Sequence, residues 1–309
     1  MIFLNQNKRK IRERVLRGIA LNRHPGLHYP GNLLDVSFDR VARDASRLSI
    51  APGPWCADRD GQMDFGVLAI LADLALAACI RANLGRETRL ATVSMQLQFT
   101  GAPRAGRLTA SGRFEGFFRR GAGRLGMSRV TVAGEEGQIC YGIGSFMALA
   151  PPKGLTLHPV PLRNRNSSAP PLLNEKDLNP EERKIVRRAD AALAAPGTFI
   201  SHFWGIHPER TAAGANCRLQ NGLHIGNRVG HAQGGILFGM AAATAAAALP
   251  ENWALSGISA WFTSPGEGPV LRANSRVVHQ GRMTAVVRTR ISAGRRRVLE
   301  VVTTHCAAH

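Results

Sequence analysis

A single aspartate, Asp73, interrupts the run from Gly66 to Ile80, where every other residue is small or apolar. An aspartate with apolar neighbours at each helical contact distance is costly to keep charged unless it is partnered or faces a wet cleft. In a cleft such a carboxylate can act as a base or a nucleophile, whereas a merely paired one serves the fold. A second group of residues lies far along the chain. Gly234-Gly235 opens an Ala-rich stretch, and Asn227, His231 and Gln233 stand just before it. Glycines at that place admit a ligand to the backbone, and free N–H groups at a helix N-terminus stabilise developing negative charge. The same pair would equally suit a turn or a close packing contact. Asn227, His231 and Gln233 each have the groups to hold a water or a carbonyl oxygen, or to sit in a solvated loop.

These two regions are copies of one pattern. Gly66-Val67-Leu68 and Gly235-Ile236-Leu237 each begin an apolar helix, and each helix leads into an alternating strand, ending in Phe99-Thr100 and Phe262-Thr263. From Phe99 to Arg113 and from Phe262 to Arg276 the count is 14 in both cases, and Leu108 and Ala110 match Leu271 and Ala273 at the same shift of 163. Internal repetition of this kind governs architecture. The copies differ where it matters for chemistry: the position of Asp73 is taken by Ala242 in the second.

The elements that must position these residues follow from periodicity. A helical spacing runs from Lys8 to Leu21, then a stretch from Pro25 to Trp55 reads as irregular. A helix is expected from Gly66 to Asn83, then strands over Arg89–Thr100, Gly106–Phe117, Leu125–Val132 and Gln138–Leu149, with Val93, Met95, Leu97 and Phe99 on one face. Prolines break the pattern from 151 onward, and Asn179-Pro180-Glu181-Glu182 has the chemistry of a helix start. The second copy repeats the order, with a helix from Gly234 to Leu249 and strands near Leu255–Thr263, Val270–His279, Met283–Ser292 and Arg297–Cys306. At least one further strand should precede each helix. Strands without intervening helices pair mostly antiparallel, and a helix apolar on every side belongs inside a sheet. The expected fold is therefore α+β, in two tandem units over residues 1–150 and 179–309 with a linker over 151–178. In each unit a mostly antiparallel sheet wraps a long central apolar helix, and the two sheets can pair edge to edge.

Composition narrows the partners. The formal net charge is +19 and the isoelectric point about 11.3, which calls for an anionic partner or a basic surface. No basic run is interleaved with aromatics, which are only 6% of residues, and this argues against sequence-specific nucleic-acid binding. The five cysteines form no C-x-x-C pair, so no metal site is indicated, and they read as buried thiols of a reducing compartment. The N-terminus carries charge too early for a secretory signal, and the apolar stretch from Ala232 to Leu249 reads as a buried helix. A cytoplasmic protein with no membrane partner is the expectation.

Asn227-x-x-Gly230-x-x-Gln233-Gly234-Gly235-Ile236-Leu237 resembles the hot-dog-fold acyl-CoA thioesterases of the phenylacetate-pathway, or PaaI-like, type. Their pattern has a His before the two glycines and an Asp seven residues after the second. Gly61-x-x-Asp64-Phe65-Gly66-Val67-Leu68, continuing to Asp73, is similar to the same pattern and keeps that Asp. Together the two stretches carry the resemblance over most of the chain, as a fused double hot-dog. The departures are specific: Asp64-Phe65 replaces His-Gly in the first copy, which has Asp58 for the asparagine, while Gln233 replaces His and Ala242 the acid in the second.

The resemblance implies an active site between two hot-dog units, the carboxylate from one and the helix N-terminus from the other. One composite site would then combine Asp73 with Asn227, Gly234 and Gly235 as catalytic groups, and with Gln233 and His231 on the substrate. The second would combine Ala242 with Phe65 and Gly66, and it has no base. The implied activity is hydrolysis of an apolar or aryl acyl thioester on coenzyme A or a carrier. No cofactor is implied beyond coenzyme A as part of the substrate, and the implied assembly is a homo-oligomer of double hot-dog chains. Leu74, Met95, Leu97, Phe238, Met240 and Trp261 would line the pocket. Arg104, Arg119, Arg120, Arg124, Arg282, Arg295, Arg296 and Arg297 are the arginines available to phosphate. A non-catalytic acyl-CoA-binding module and an acyl-thioester dehydratase or hydratase are the alternatives.

Overall fold

The structure, a computed structural model, describes residues 2–120 and 123–307. The two strongly apolar stretches form helices α3 (Phe65–Ala82) and α6 (Gly234–Ala247), each enclosed by strands. Leu, Ala and Ile dominate α3, Asp64 caps its start, and the helix is buried without a break from Gly66 to Ile80. It is long and apolar enough to cross a membrane, but most of it is wrapped by the sheet. A helix with no polar face has no other stable place in such a fold.

Around α3 lie β1 (Ser37–Val41), β2 (Ala45–Ile50), β3 (Arg89–Phe99), β4 (Leu108–Phe117), β5 (Leu125–Gly134) and β6 (Gly137–Leu149). Around α6 lie β7 (Glu209–Thr211), β8 (Gly214–Gln220), β9 (Trp253–Phe262), β10 (Val270–Gln280), β11 (Thr284–Ala293) and β12 (Arg296–Ala307). All twelve form one antiparallel sheet in the order β1-β2-β4-β5-β6-β3-β9-β12-β11-β10-β8-β7. Outward from the β3–β9 join, the two halves repeat the same order. That join is a ladder with Leu97 opposite Ile258 and Ser94 opposite Trp261. Burial alternates along most strands, as in β10, where Leu271, Ala273 and Ser275 face inward and Arg272 and Asn274 outward.

The stretch from Pro25 to Trp55 is more ordered than its composition suggests. It holds α2 (Tyr29–Leu33) and both β1 and β2, so two strands precede the helix, where at least one was expected. Strand β1 is only five residues long, and Ser37 and Phe38 are buried side by side, which hides the alternation. Helix α1 (Ile2–Asn22) packs on α4 (Pro180–Ala194), whose Asn179 forms a full capping box with Glu182. Helix α5 (Phe199–Trp204) follows α4 as α2 follows α1. Four cysteines are buried, but Cys306 lies on the outer face of the last strand, exposed.

Helices α3 and α6 cross at glycines. A Cβ added to Gly239 would come within 2.7 Å of the Gly66 Cα, and one added to Gly235 within 2.7 Å of the Ile70 backbone. Backbone cannot yield as a flexible side chain does, so overpacking here is expected to cost about 1–3 kcal/mol. Gly239→Ala should therefore lower the denaturation midpoint in urea. A variant as stable as the parent would mean that the helices do not approach this closely.

Candidate active site

Asp73 lies midway along α3, 7% exposed. Its carboxylate accepts two hydrogen bonds, from Thr92 Oγ1 on β3 (3.0 Å) and from Gln233 Nε2 (2.8 Å), the residue that caps α6 in the other half. The amide orientation of Gln233 is determined by its second bond, since its Oε1 accepts the Ile236 N–H (3.0 Å) and leaves only Nε2 for the carboxylate. Burial raises the Asp73 carboxyl to about 6, against the opposing pull of the Thr92 hydroxyl, the Arg81 charge and the Gln233 amide. A carboxylate so poised releases and takes a proton near neutrality, as a general base must.

Thr92 was not among the residues singled out from the sequence, for a physical reason. Unbroken alternation puts it on the outer face with Ser94 and Gln96. A bulge in the β3–β6 ladder between Thr92 and Ser94 shifts the register, so that Thr92 stands opposite the buried Phe146 and turns inward to Asp73.

The loop before α6 is a small latch. Asn227 Oδ1 accepts the N–H groups of Val229 (2.9 Å) and His231 (3.1 Å), and Gly230 takes a positive φ of 82°. Asp58 does the same in the first half, accepting from Asp60 (3.0 Å) and Gln62 (2.9 Å), with Gly61 at a φ of 74°. Asn227 thus borders the cavity beside Asp73 while its carbonyl oxygen holds the loop that carries Gln233. His231 also borders the cavity, and its Nε2 pairs with Glu267 (2.9 Å). Burial lowers the His231 pKa, and Glu267 opposes this.

The helix starts differ in one consequential way. In α3 the short Asp64 side chain accepts the Gly66 N–H (2.9 Å). In α6 the longer Gln233 reaches one residue further to Ile236, and among the described residues no hydrogen bond engages the N–H of Gly234 or Gly235. Gly234 borders the cavity, with Thr92 and Phe262 as its near neighbours. Phe65 and Gly66, read as the start of a second site, are packed shut. Phe65 lies against Phe99 and Phe238, Trp204 of α5 covers Gly66, and Ala242 supplies no acid.

The cavity beside Asp73 has a volume of about 300 Å³. Of the residues expected to line it, Leu74 does. Met95, Leu97, Phe238 and Met240 are instead buried between helix and sheet, and Trp261 is on the outer face, 43% exposed. Its arginines are Arg81, Arg89 and Arg228, none of them picked out from the sequence. Of the arginines proposed there, Arg104 is bound to Asp58, Arg296 to Glu267 and Arg297 to Glu300. A larger groove of about 970 Å³ crosses the outer face of β8, β10 and β11, on the side of the sheet away from Asp73.

No family model and no curated protein matches the chain. Solved structures do. A candidate oleoyl thioesterase from Lactobacillus plantarum aligns over 86% of this chain and 97% of its own, at 11% identity and a TM-score of 0.56. An acyl-ACP thioesterase from Bacteroides thetaiotaomicron aligns over 84% and 97%, at 10% identity and 0.51. A conserved protein with a hot dog fold from Alicyclobacillus acidocaldarius aligns over 89% and 96%, at 8% identity and 0.51. At these identities the likeness shows the fold: the chain has a hot-dog fold.

The raised pKa of Asp73 has a consequence for stability. The native carboxyl holds its proton more tightly than an unfolded aspartate does, with pKa values of about 6 and 3.8. The stabilisation this gives is full below about pH 3.8 and is lost as pH rises past about 6. Asn in its place can accept from Gln233 and donate to Thr92 without charge. Asp73→Asn should melt at a higher temperature than the parent above about pH 6, by an amount of order 3 kcal/mol, with the difference vanishing in acid. A lower melting temperature at neutral pH would show that the charge is not desolvated.

Proposed function

We propose that this protein is an acyl thioester hydrolase of the PaaI-like type, built as a double hot-dog. Its units span 1–150 and 179–309, joined by 151–178, and it works at one composite site between them. The observation that carries the reading is the buried Asp73 carboxylate hydrogen-bonded to the cap of the opposite helix, beside a cavity bordered by Gly234, whose N–H, like that of buried Gly235, has no acceptor among the described residues. Asp73 takes a proton from water as the water oxygen bonds to the thioester carbon. The carbonyl electrons move onto oxygen, where the Gly234 and Gly235 N–H groups hold them. Collapse of this adduct breaks the C–S bond, and the thiolate leaves and takes up the proton. Gln233 and Asn227 act as positioning residues, the first on the carboxylate and the second on the loop.

The substrate class is an acyl-CoA or carrier-bound thioester whose acyl body is apolar or aryl, in keeping with Leu74, Leu90 and Phe146 on the cavity wall. Hydrolysis of this kind requires no cofactor. A dehydratase would need a histidine paired with Asp73, whereas His231 is engaged by Glu267. Pairing of whole chains belongs to the same proposal, supported by exposed Tyr141, Ile143 and Trp261 on the outer face of the central strands.

Turnover measured by thiol release should fall about 10²–10⁴-fold in Asp73→Asn, with the fold retained. In the parent, kcat/KM should rise with pH through about 6 and then level. Thr92→Val removes a bond to the charged form and should move that midpoint upward. Full turnover in folded Asp73→Asn would refute the mechanism, and binding without turnover in the parent would make the chain an acyl-thioester-binding module.

A further inference from the structure

The cavity beside Asp73 has a second end of opposite character. Arg81, the one basic residue of α3, stands two turns beyond Asp73, about 12 Å further along the helix at 1.5 Å per residue. Its Nε donates to the Thr88 carbonyl (3.2 Å). Arg228, from the latch loop of the other half, donates to the same carbonyl (3.5 Å) and to that of His158. Two guanidinium groups thus converge at one place on the cavity wall. Among the described residues neither forms a salt bridge; Asp73 bears on Arg81, and Glu87 on Arg228, only at a distance. Among the described residues Asp73 is also the single carboxylate on the cavity walls.

His28 adds a third donor. It is 7% exposed, borders the cavity, and accepts the Gly31 N–H at Nδ1 (3.0 Å). That bond leaves the proton of the neutral ring on Nε2, which is buried with no partner. Burial, reinforced by Arg81 and Arg228, holds His28 down to about 3, so it is a neutral donor at ordinary pH. Burial and Arg228 likewise hold Arg81 down to about 10. Arg81 and Arg228 are half-buried, and partly desolvated cations without a counter-ion leave room for an anionic ligand to complete the pair.

We infer that this end of the cavity is an anion subsite, and that the acyl group the protein takes ends in a carboxylate, as in the half-thioesters of dicarboxylic acids. The identity of the other end rests on the thioesterase reading above. Two guanidinium forks and an imidazole N–H suit a planar carboxylate. Between the two ends, Ala77, Leu90 and Phe146 leave an apolar passage for a carbon chain. A phosphate of coenzyme A has the same charge chemistry. The cavity wall, however, includes Leu27, Leu157 and Val160, apolar side chains that suit a carbon chain ending at the arginines better than a nucleotide.

The test compares adipyl with hexanoyl thioesters, each on coenzyme A and on N-acetylcysteamine, which carries no phosphate. The parent should prefer adipyl by about tenfold or more on both carriers, from one or two charge-assisted bonds. Arg81→Gln should erase that preference through KM, and Arg81→Lys should restore part of it. A preference missing on N-acetylcysteamine, or an Arg81→Gln effect confined to the coenzyme A esters, would assign the arginines to phosphate and overturn the inference. Free adipate gives a readout without turnover: it should raise the melting temperature of the parent and of Asp73→Asn, but not of Arg81→Gln. Such protection in a protein that hydrolyses nothing would keep the subsite and remove the thioesterase reading. Hydrolysis of hexanoyl and adipyl esters at equal rates, without protection by adipate, would do the reverse. Should Arg81→Gln fail to fold, Arg228→Gln carries the same comparisons.

Discussion

Asp73 sits on a helix whose other buried residues are apolar, and its own half of the chain offers it one hydroxyl, that of Thr92. The second hydrogen bond must come from outside, and it comes from Gln233 at 2.8 Å in the other half. A desolvated carboxylate with one bond missing is expensive, so the relation of the two halves is constrained by this contact. The β3–β9 ladder determines their relative height, with Leu97 opposite Ile258. The glycine crossings at Gly66 with Gly239 and at Gly235 with Ile70 determine how near the helices come. Gln233 has a double duty, because the same amide that meets Asp73 also caps α6 through Ile236. Displacing α6 would break a helix cap and strand a buried charge together.

The two halves use one scaffold for different ends. Asn227 and Asp58 close equivalent loops with equivalent bonds. At the helix starts, a difference of one methylene between Asp64 and Gln233 decides which N–H group is satisfied. Asp64 takes the Gly66 N–H for itself, whereas Gln233 passes over Gly235. On the first side Ala242 removes the acid and Trp204 fills the space against Gly66. Trp204 belongs to α5, and α2, the matching element in chain order, brings His28 to the wall of the open cavity instead. At one interface Phe65 and Trp204 pack over the helix start, and at the other a cavity stands beside a carboxylate.

Much of this was legible in the chain because the informative residues break a strong local pattern. Asp73 is the sole charge between Gly66 and Ile80, and its replacement by Ala242 at the repeat position marks the difference between the halves. The long helices and most strands follow from periodicity. What periodicity cannot carry was missed. The β3 bulge turns Thr92 inward against its alternation, and β1 is short with two adjacent buried residues. Inward-facing residues such as Met95 and Phe238 read as pocket lining, but an enclosed helix fills the space they face. Arg81 was the most available of the missed residues. A lone arginine in the last turn of a helix suits the dipole and reads as surface, yet the helix it ends is central, and its equivalent in the second half is Pro250.

The net charge of +19 says little by itself about a ligand. On the outer face, Glu300 alone is bound by Arg288, Arg290 and Arg297, and exposed pairs of this kind contribute little. Among the described residues Arg81 and Arg228 have no such neutralising partner, and they share a cavity with Asp73. The field of the Arg81 charge reaches Asp73, where it opposes the upward push of burial on the carboxyl. An anion seated between the guanidinium groups would cancel part of that field. At an effective dielectric of about 20 and a separation of about 12 Å, one unit charge is worth of order 1 kcal/mol. Asp73 would then become a stronger base only when the far subsite is filled. Recognition of the acyl terminus and activation of water would be coupled through the charge on one helix, without any movement of the fold.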